Sequence, residues 1–395
     1  MKELVKVILK PGKEQSIKRL HPWIFSGAIK NISGALSEGQ PVEVVNHNGE
    51  FLAIGHYQIG SIAVRILSFK NIPIDSLFWK SKIQSAFNLR HKLGLTENND
   101  TNVYRLVNGE GDELPGLIVD LYNGTAVTQF HSVGMYLVKD EIVKALQEVL
   151  GSRLFAVYDK SEGTMPFKAE IKAVNGYLWG NSETAFVKEY GNLFKVDWAE
   201  GQKTGFFIDQ RENRRLVQKY SKNRNVLNLF GYTGGFSVYA LHGEASLVHS
   251  VDSSIRATEL AKENVYLNFG KNVNHLAFTE DAFDFLDNTD STYDLIILDP
   301  PAFAKHNDAL ANALQAYKRL NAKAIRKINK GGIIFTFSCS QVVSKENFRK
   351  SVFAAAVNSG RKVSILHQLT QAPDHAINIY HPEGEYLKGL VLYVD

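Results

Sequence analysis

The sequence predicts an α/β protein: a Rossmann-like parallel sheet in the C-terminal half, preceded by a small β-barrel and a central α+β domain. Three observations predict it. VLNLFGYTGG (226–235) is an apolar run, Val226 to Phe230, that breaks at Gly231, Gly234 and Gly235 and resumes as the helical pattern Phe236 to Leu241. Strand, glycine turn and helix in that order open a nucleotide-binding crevice in parallel α/β sheets. Further strand-like runs at 246–251, 275–278, 293–298 and 332–337 each end on polar residues. The first 70 residues are instead short strands separated by turns at Asn48-Gly49 and Gly60.

Composition narrows the class. At 395 residues the chain is long enough for two or three domains, and its 44% hydrophobic and 22% charged residues are those of an ordinary globular protein. No apolar run approaches the roughly 20 residues of a membrane span, and MKELVKVILKPGKEQ has no secretory apolar region. A cytoplasmic location without membrane contact is therefore expected. A single cysteine, Cys339, excludes an internal disulfide and a multi-cysteine zinc site. The 12 histidines show no H-E-x-x-H spacing, so no metal is expected.

The net charge of +4 is unevenly spread. Seven basic residues stand against two acidic ones over residues 1–30, and Lys318, Arg319, Lys323, Arg326, Lys327 and Lys330 run without an intervening acid. Such patches suit a polyanion through counterion release, although each is also compatible with a solvated surface.

Taken in order, residues 1–70 carry strand candidates around Leu4, Val7 and Leu9, then at Pro41 to Val45, Phe51 to Gly55 and Ser61 to Leu67. Residues 75–182 read as α+β. Helical patterns are expected at 76–93 and 133–150, a hairpin at Leu117 to Leu121 and Ala126 to Phe130 turns at Asn123-Gly124, and a strand spans 154–158. RLVNGEGDEL, before that hairpin, reads as a turn. Residues 185–395 carry the candidate site.

There, GQKTGFFIDQRENRRLVQKY (201–220) runs from a glycine-bounded loop into a helix, without P-loop spacing. Asp252 closes strand 246–251 and lies 21 residues after Gly231, close to the spacing of about 20 at which a carboxylate meets ribose hydroxyls. A helix N-cap is its alternative duty. Glu280 and Asp281 end the next strand, where an acid can meet an adenine amine. Asp299-Pro300-Pro301 ends strand 293–298, and Ser338-Cys339-Ser340 ends strand 332–337. A crossover helix over 308–329 makes these last two strands parallel neighbours, which places Asp299 and Cys339 within a few side-chain lengths of each other.

The set GQKTGFFIDQR, NLFGYTGGFS, VDSS, EDAFDFL, LDPPAFAK, FSCS and QAPDHAINIYHPEGEYLKG resembles class I S-adenosylmethionine-dependent methyltransferases, and in particular RlmI-type large-subunit (23S) ribosomal RNA cytosine-5 methyltransferases. HPWIFSGAI (21–29) and FLAIGHYQIGSIAVRIL (51–67) resemble PUA domains, which are RNA-binding modules. The resemblance spans nearly the whole chain and is strongest over 201–395. It implies a PUA-like domain at 1–70, a central domain at 75–182 and a methyltransferase domain at 185–395, with S-adenosylmethionine as cofactor and ribosomal RNA as partner. A homodimer is left open.

Cytosine carbon 5 is a poor nucleophile, and a thiolate added at carbon 6 makes it enamine-like. Cys339 is the expected nucleophile and Asp299 the group that hydrogen-bonds the ring. Many related enzymes carry a second cysteine just after the Asp-Pro, where this chain has Pro301, so the base that removes the carbon-5 proton is not identified. Phe230, Gly231 and Gly234 are expected at the methionine part of the cofactor, Asp252 at the ribose and Asp281 at the adenine. Gln210 and Arg211 are expected at the cofactor or its loop, with a helix N-terminal network as the alternative. Lys323, Arg326 and Lys327 are the candidate RNA contacts. Two other functions compete: methylation of a base nitrogen, such as guanine, which needs no thiol, and a non-catalytic RNA-binding assembly role.

Overall fold

The computed structural model describes residues 4–166, 169, 171–182 and 186–395. They form two compact units. The first holds residues up to 187 together with 196–208 and 373–384, and the second holds 188–195, 209–372 and 385–395. Residues 196–208 and 373–384, which the sequence pattern groups with 185–395, thus belong to the first unit.

The first unit begins with β1 (Val5–Leu9), the short α1 (Gln15–Lys18), β2 (Trp23–Phe25), β3 (Ile29–Ile32), β4 (Pro41–Val45), β5 (Phe51–Tyr57) and β6 (Ile62–Ser68). They form one six-stranded sheet in the order β2-β6-β5-β4-β1-β3 around Val7, Leu9, Ile24, Val42, Val44 and Val64. The central part adds α2 (Ser76–Lys92), β7 (Val103–Asn108), β8 (Leu117–Tyr122), β9 (Thr125–Phe130), α3 (Val133–Leu137), α4 (Lys139–Leu150), β10 (Ala156–Asp159) and β11 (Gly176–Gly180). Its sheet order is β11-β10-β9-β8-β7.

Two expectations change here. RLVN is strand, not turn: a bulge between Arg105 and Val107 breaks the alternation that would have revealed β7. The helix expected over 133–150 is two helices, because Val138 leaves helical geometry between them. The two parts of this unit also pack closely. A Cβ on Gly134 would collide with the His56 ring, so the β-barrel segment is not a detachable arm.

The chain passes into the second unit within β12 (Phe186–Glu189), followed by β13 (Asn192–Lys195), α5 (Arg211–Tyr220) and β14 (Asn225–Leu229). Then follow α6 (Gly235–His242), β15 (Leu247–Asp252), α7 (Ile255–Phe269), β16 (His275–Thr279), α8 (Ala282–Asn288) and β17 (Tyr293–Leu298). The remainder is α9 (Leu310–Lys327), β18 (Ile328–Ser338), α10 (Lys345–Ser359), β19 (Val363–Leu369) and β20 (Lys388–Val394). The seven-stranded sheet runs β16-β15-β14-β17-β18-β20-β19. β16 to β18 are parallel, and β20 is antiparallel to both β18 and β19. Leu227, Leu229, Ile296, Leu298, Tyr317 and Leu320 form its core. Such continuous apolar strands suit a sheet buried on both faces.

This topology positions the site. Connections leave β14 in one direction and β17 in the other, so the strand order reverses between these neighbours, and ligands bind outside the carboxyl ends at such a point. Leu229 pairs with Val251 on one side and Leu298 on the other. The residues one step on, Phe230, Asp252 and Asp299, therefore leave three adjacent strands at one level.

Candidate active site

The loop after β14 is held in unusual backbone geometry. Phe230, Tyr232 and Gly234 have φ of 59°, 43° and 77°. Left-handed non-glycine residues of this kind concentrate at functional sites. The glycine-turn expectation is thus corrected in detail: two of the three left-handed positions are aromatic, and among the loop glycines only Gly234 joins them. Glycine is required there for a second reason, since a Cβ would lie 3.0 Å from Ala261 Cβ on α7. Gly231 N–H donates to Val251 O at 2.9 Å and Gly234 N–H to Gly231 O at 2.8 Å, which closes the turn.

Asp252 clamps that loop. Its Oδ2 accepts from Tyr232 N–H and its Oδ1 from Ser254 N–H, both at 2.9 Å. The N-cap of α7 is Ser254, not Asp252. A carboxylate has about four lone-pair directions, so two remain beyond these bonds. Asp281 is the N-cap of α8: its Oδ1 accepts from Phe283 N–H at 2.8 Å and Asp284 N–H at 3.2 Å, and its side chain is exposed at the sheet edge.

At the end of β17, Asp299 Oδ1 accepts from Gln210 Nε2 at 3.1 Å. Gln210 is 3% exposed. Its own Oε1 accepts from Asn213 Nδ2 at 2.6 Å, which orients the amide N–H groups toward Asp299. Burial, and then the neighbouring Asp209 carboxylate, push the Asp299 carboxyl up to about 7, with Gln210 and Arg214 acting the other way. Arg211 is buried and donates from Nε to Glu212 at 3.4 Å, and Arg214 pairs with Glu189 at 2.7 Å. The Arg214 pair ties α5 to β12, whereas the Arg211–Glu212 bond stays within α5.

Cys339 lies one residue past β18. Its Sγ is 3.9 Å from Pro300 O, so the thiol sits against the Asp299-Pro300-Pro301 segment as the parallel-neighbour argument expects. The flanking serines are buried, and Ser340 Oγ donates to Ala304 O at 2.5 Å, which fixes the loop beyond Cys339.

Three residues of this neighbourhood were not singled out from the sequence. Asp209 adjoins Gln210, accepts from Tyr386 Oη at 2.6 Å through Oδ2, and has a buried Oδ1 with no hydrogen-bond partner among the described residues. Lys388 donates to Ser340 O and Val343 O at 2.5 and 2.8 Å. Asp209 stands inside GFFIDQR and was within reach of motif reading. Tyr386 and Lys388 stand in EYLKG, where only the packing of β20 against β18 brings them to the site.

The basic residues of α9 divide. Lys323 pairs with Asp287, and Lys327 donates to Thr289 O at the C-terminal end of α8, where a cation also meets the helix dipole. Arg326 is exposed. Among the described residues no group of three or more His, Cys, Asp or Glu is placed to hold a metal, and no helix is long and apolar enough to cross a membrane.

Comparison with known proteins gives the family of the chain. A PUA-like domain family model matches residues 7–69, and the model of the S-adenosylmethionine-dependent methyltransferase family matches residues 164–376. A candidate SAM-dependent methyltransferase from Streptococcus mutans superposes with a TM-score of 0.84 at 24% identity, over 98% of this chain and 100% of that one. SMU.776, a candidate methyltransferase solved in complex with SAH, superposes at 0.85 over the same shares at 24% identity. These two likenesses show the fold. The ribosomal RNA large subunit methyltransferase I of Escherichia coli O139:H28 is 36% identical over 398 residues, 99% of each chain.

The chain is thus an S-adenosylmethionine-dependent methyltransferase with an N-terminal PUA-like domain. Within that class it belongs to the family of the ribosomal RNA large subunit methyltransferase I proteins. The cofactor fits the site: Phe230, Gly231 and Tyr232 of the loop are only partly buried at the carboxyl end of β14, and Asp252 retains acceptor capacity beside them.

Proposed function

We propose that this protein methylates carbon 5 of a cytosine in large-subunit ribosomal RNA through a transient covalent bond from Cys339. The carrying observation is Cys339 Sγ at 3.9 Å from Pro300 O, beside a carboxyl, Asp299, that burial and Asp209 push up to about 7. The relative named for ribosomal RNA and the PUA-like domain support the substrate class.

S-adenosylmethionine, when bound, supplies an electrophilic methyl group on a sulfonium. Phe230, Gly231 and Gly234 would line its methionine part, Asp252 its ribose and Asp281 its adenine, with Gln210, Arg211 and Asp299 completing the wall. Cys339 adds as thiolate to carbon 6, and the ring electron pair moves to carbon 5. Asp299 hydrogen-bonds ring nitrogen 3 or the exocyclic amine and steadies the charge that develops there. After carbon 5 has gained the methyl, a general base takes its proton, the C–H pair restores the carbon 5–carbon 6 double bond, and the Cys339–carbon 6 pair leaves on the thiolate. The target base must be single-stranded or flipped out, because stacking hides carbon 6.

A ribosomal RNA fragment carrying 5-fluorocytosine tests the reading. Fluorine at carbon 5 leaves no proton to remove, so the adduct should persist through denaturing electrophoresis and vanish in Cys339→Ala with cofactor binding intact. Methylation by Cys339→Ala at the wild-type rate would reject the reading in favour of nitrogen methylation, which the Asp-Pro-Pro edge also suits.

A further inference from the structure

Lys388 is an unusual residue for its position. It opens β20 in register with Ser338, the residue before Cys339, and its side chain is 5% exposed. Its ammonium donates to the carbonyls of Ser340 and Val343, the first of which immediately follows Cys339. The cation therefore lies against the turn that follows the thiol, while the Lys388 backbone is in register with the residue before it. Two of its three N–H donors are used by these carbonyls. Among the described residues no carboxylate forms an ion pair with it, since its acidic neighbour Glu385 is engaged with Lys345.

A buried cation without a counter-ion is costly to keep. A simple clip for the 340–343 turn needs only a hydrogen-bond donor. A thiolate placed beside the cation would lower the burial cost of both groups. Around this pair, Asp299 beside Pro300 is acidic, Tyr317 of α9 is a phenol that burial pushes up to about 12, and Glu385 and Lys345 act on Lys388 in opposite directions.

We propose that Lys388 is the positioning residue that holds Cys339 as a thiolate, acting through the turn and across the gap to the sulfur without touching substrate. This rests on the reading of Cys339 as the nucleophile. Burial pulls the Lys388 ammonium down to about 8, and the Cys339 charge is the main influence raising it. Lys388 thus remains mostly charged at neutral pH, and the coupling runs in the direction a thiolate–ammonium pair requires. Cationic neighbours lower thiol pKa values in the same way in other reactive cysteines.

Because the chain has one cysteine, its alkylation can be read without ambiguity. The rate of iodoacetamide labelling of the full-length protein, followed by intact mass from pH 5 to 10, gives the thiol midpoint. The wild type should titrate clearly below the ordinary value of about 8.5. Lys388→Gln keeps an N–H donor for the carbonyls but removes the charge. It should move the midpoint up by about one pH unit, which slows labelling at pH 7 about tenfold, and Lys388→Arg should recover part of the loss. A folded Lys388→Gln variant with the wild-type profile would overturn the proposal. So would a wild-type midpoint at or above the ordinary value, a result that needs no variant to fold. A low midpoint that depends on Lys388, combined with no trapped 5-fluorocytosine adduct, would support the coupling and remove only the covalent reading.

Discussion

Gln210 donates its side-chain amide to Asp299 at 3.1 Å while its oxygen is held by Asn213 at 2.6 Å. This chain of bonds orients the carboxyl at the centre of the candidate site and partly offsets the burial that favours its neutral form. The bond from Gln210 favours the ionised form of Asp299 against burial and Asp209, which favour the neutral one. Gln210→Ala should therefore raise the pH at which Asp299 titrates, and the matching limb of the methylation pH profile should move up by about 0.5–1 pH unit. An unmoved limb in a folded variant would show that Asp299 is set by other groups.

The same carboxyl should weaken the fold at neutral pH. Its value is raised from the ordinary carboxylate range to about 7, so its stabilising contribution is fully present below about pH 4 and is lost as the pH rises to about 7. Asp299→Asn keeps an oxygen for Gln210 and carries no charge. It should match the wild type in acid and exceed it by about 1–3 kcal/mol at pH 8, while methyl transfer falls. Each pH unit between the folded and unfolded titration points is worth about 1.4 kcal/mol. Urea melts at pH 5 and pH 8 measure this, and an equal stability gap at the two pH values would contradict it.

Gly234→Ala should fail for two local reasons. Its φ of 77° is left-handed, and the new methyl would meet Ala261 Cβ at 3.0 Å. A loss of about 1–3 kcal/mol in stability is expected, with weaker S-adenosylmethionine binding by calorimetry. A variant that kept both would show that the loop moves at little cost.

Asp252→Ala removes the acceptor of Tyr232 and Ser254 N–H groups together with the proposed ribose contact. Cofactor affinity should weaken by about 1–3 kcal/mol. If titration calorimetry returned wild-type affinity, Asp252 would be a loop clamp alone.

The α9 cations should separate by role. Lys327→Gln loses its bond to Thr289 O at the end of α8 and should lower the melting temperature. Arg326→Gln should leave melting unchanged and weaken ribosomal RNA binding with a shallower salt dependence. If neither variant altered RNA binding, this face would be excluded from the RNA contact.

Much of the site was legible in the linear order of residues. Strand periodicity located β14, β15, β17 and β18, and the rule that ligands gather at carboxyl ends turned Phe230, Asp252, Asp299 and Cys339 into one edge before any contact was seen. That inference works because a parallel sheet converts the last residue of each strand into a common level. β7 escaped it because a bulge removes the alternation on which strand reading depends. The clamp made by Asp252 escaped it because backbone N–H partners carry no residue signature.

What the sequence determined by itself was the fold class, the glycine loop and the strand-end acids and thiol, all of which follow from local spacing and the regular geometry of parallel strands. Only the tertiary structure decided which groups set the charge of these residues. Gln210 meets Asp299, Asp209 presses on it, and Lys388 lies under the turn of Cys339, although 89 positions separate the first pair. The physical reason is that burial and Coulomb interaction depend on distances through space. No spacing along the chain encodes them until β20 has paired with β18 and the start of α5 has been brought to the end of β17.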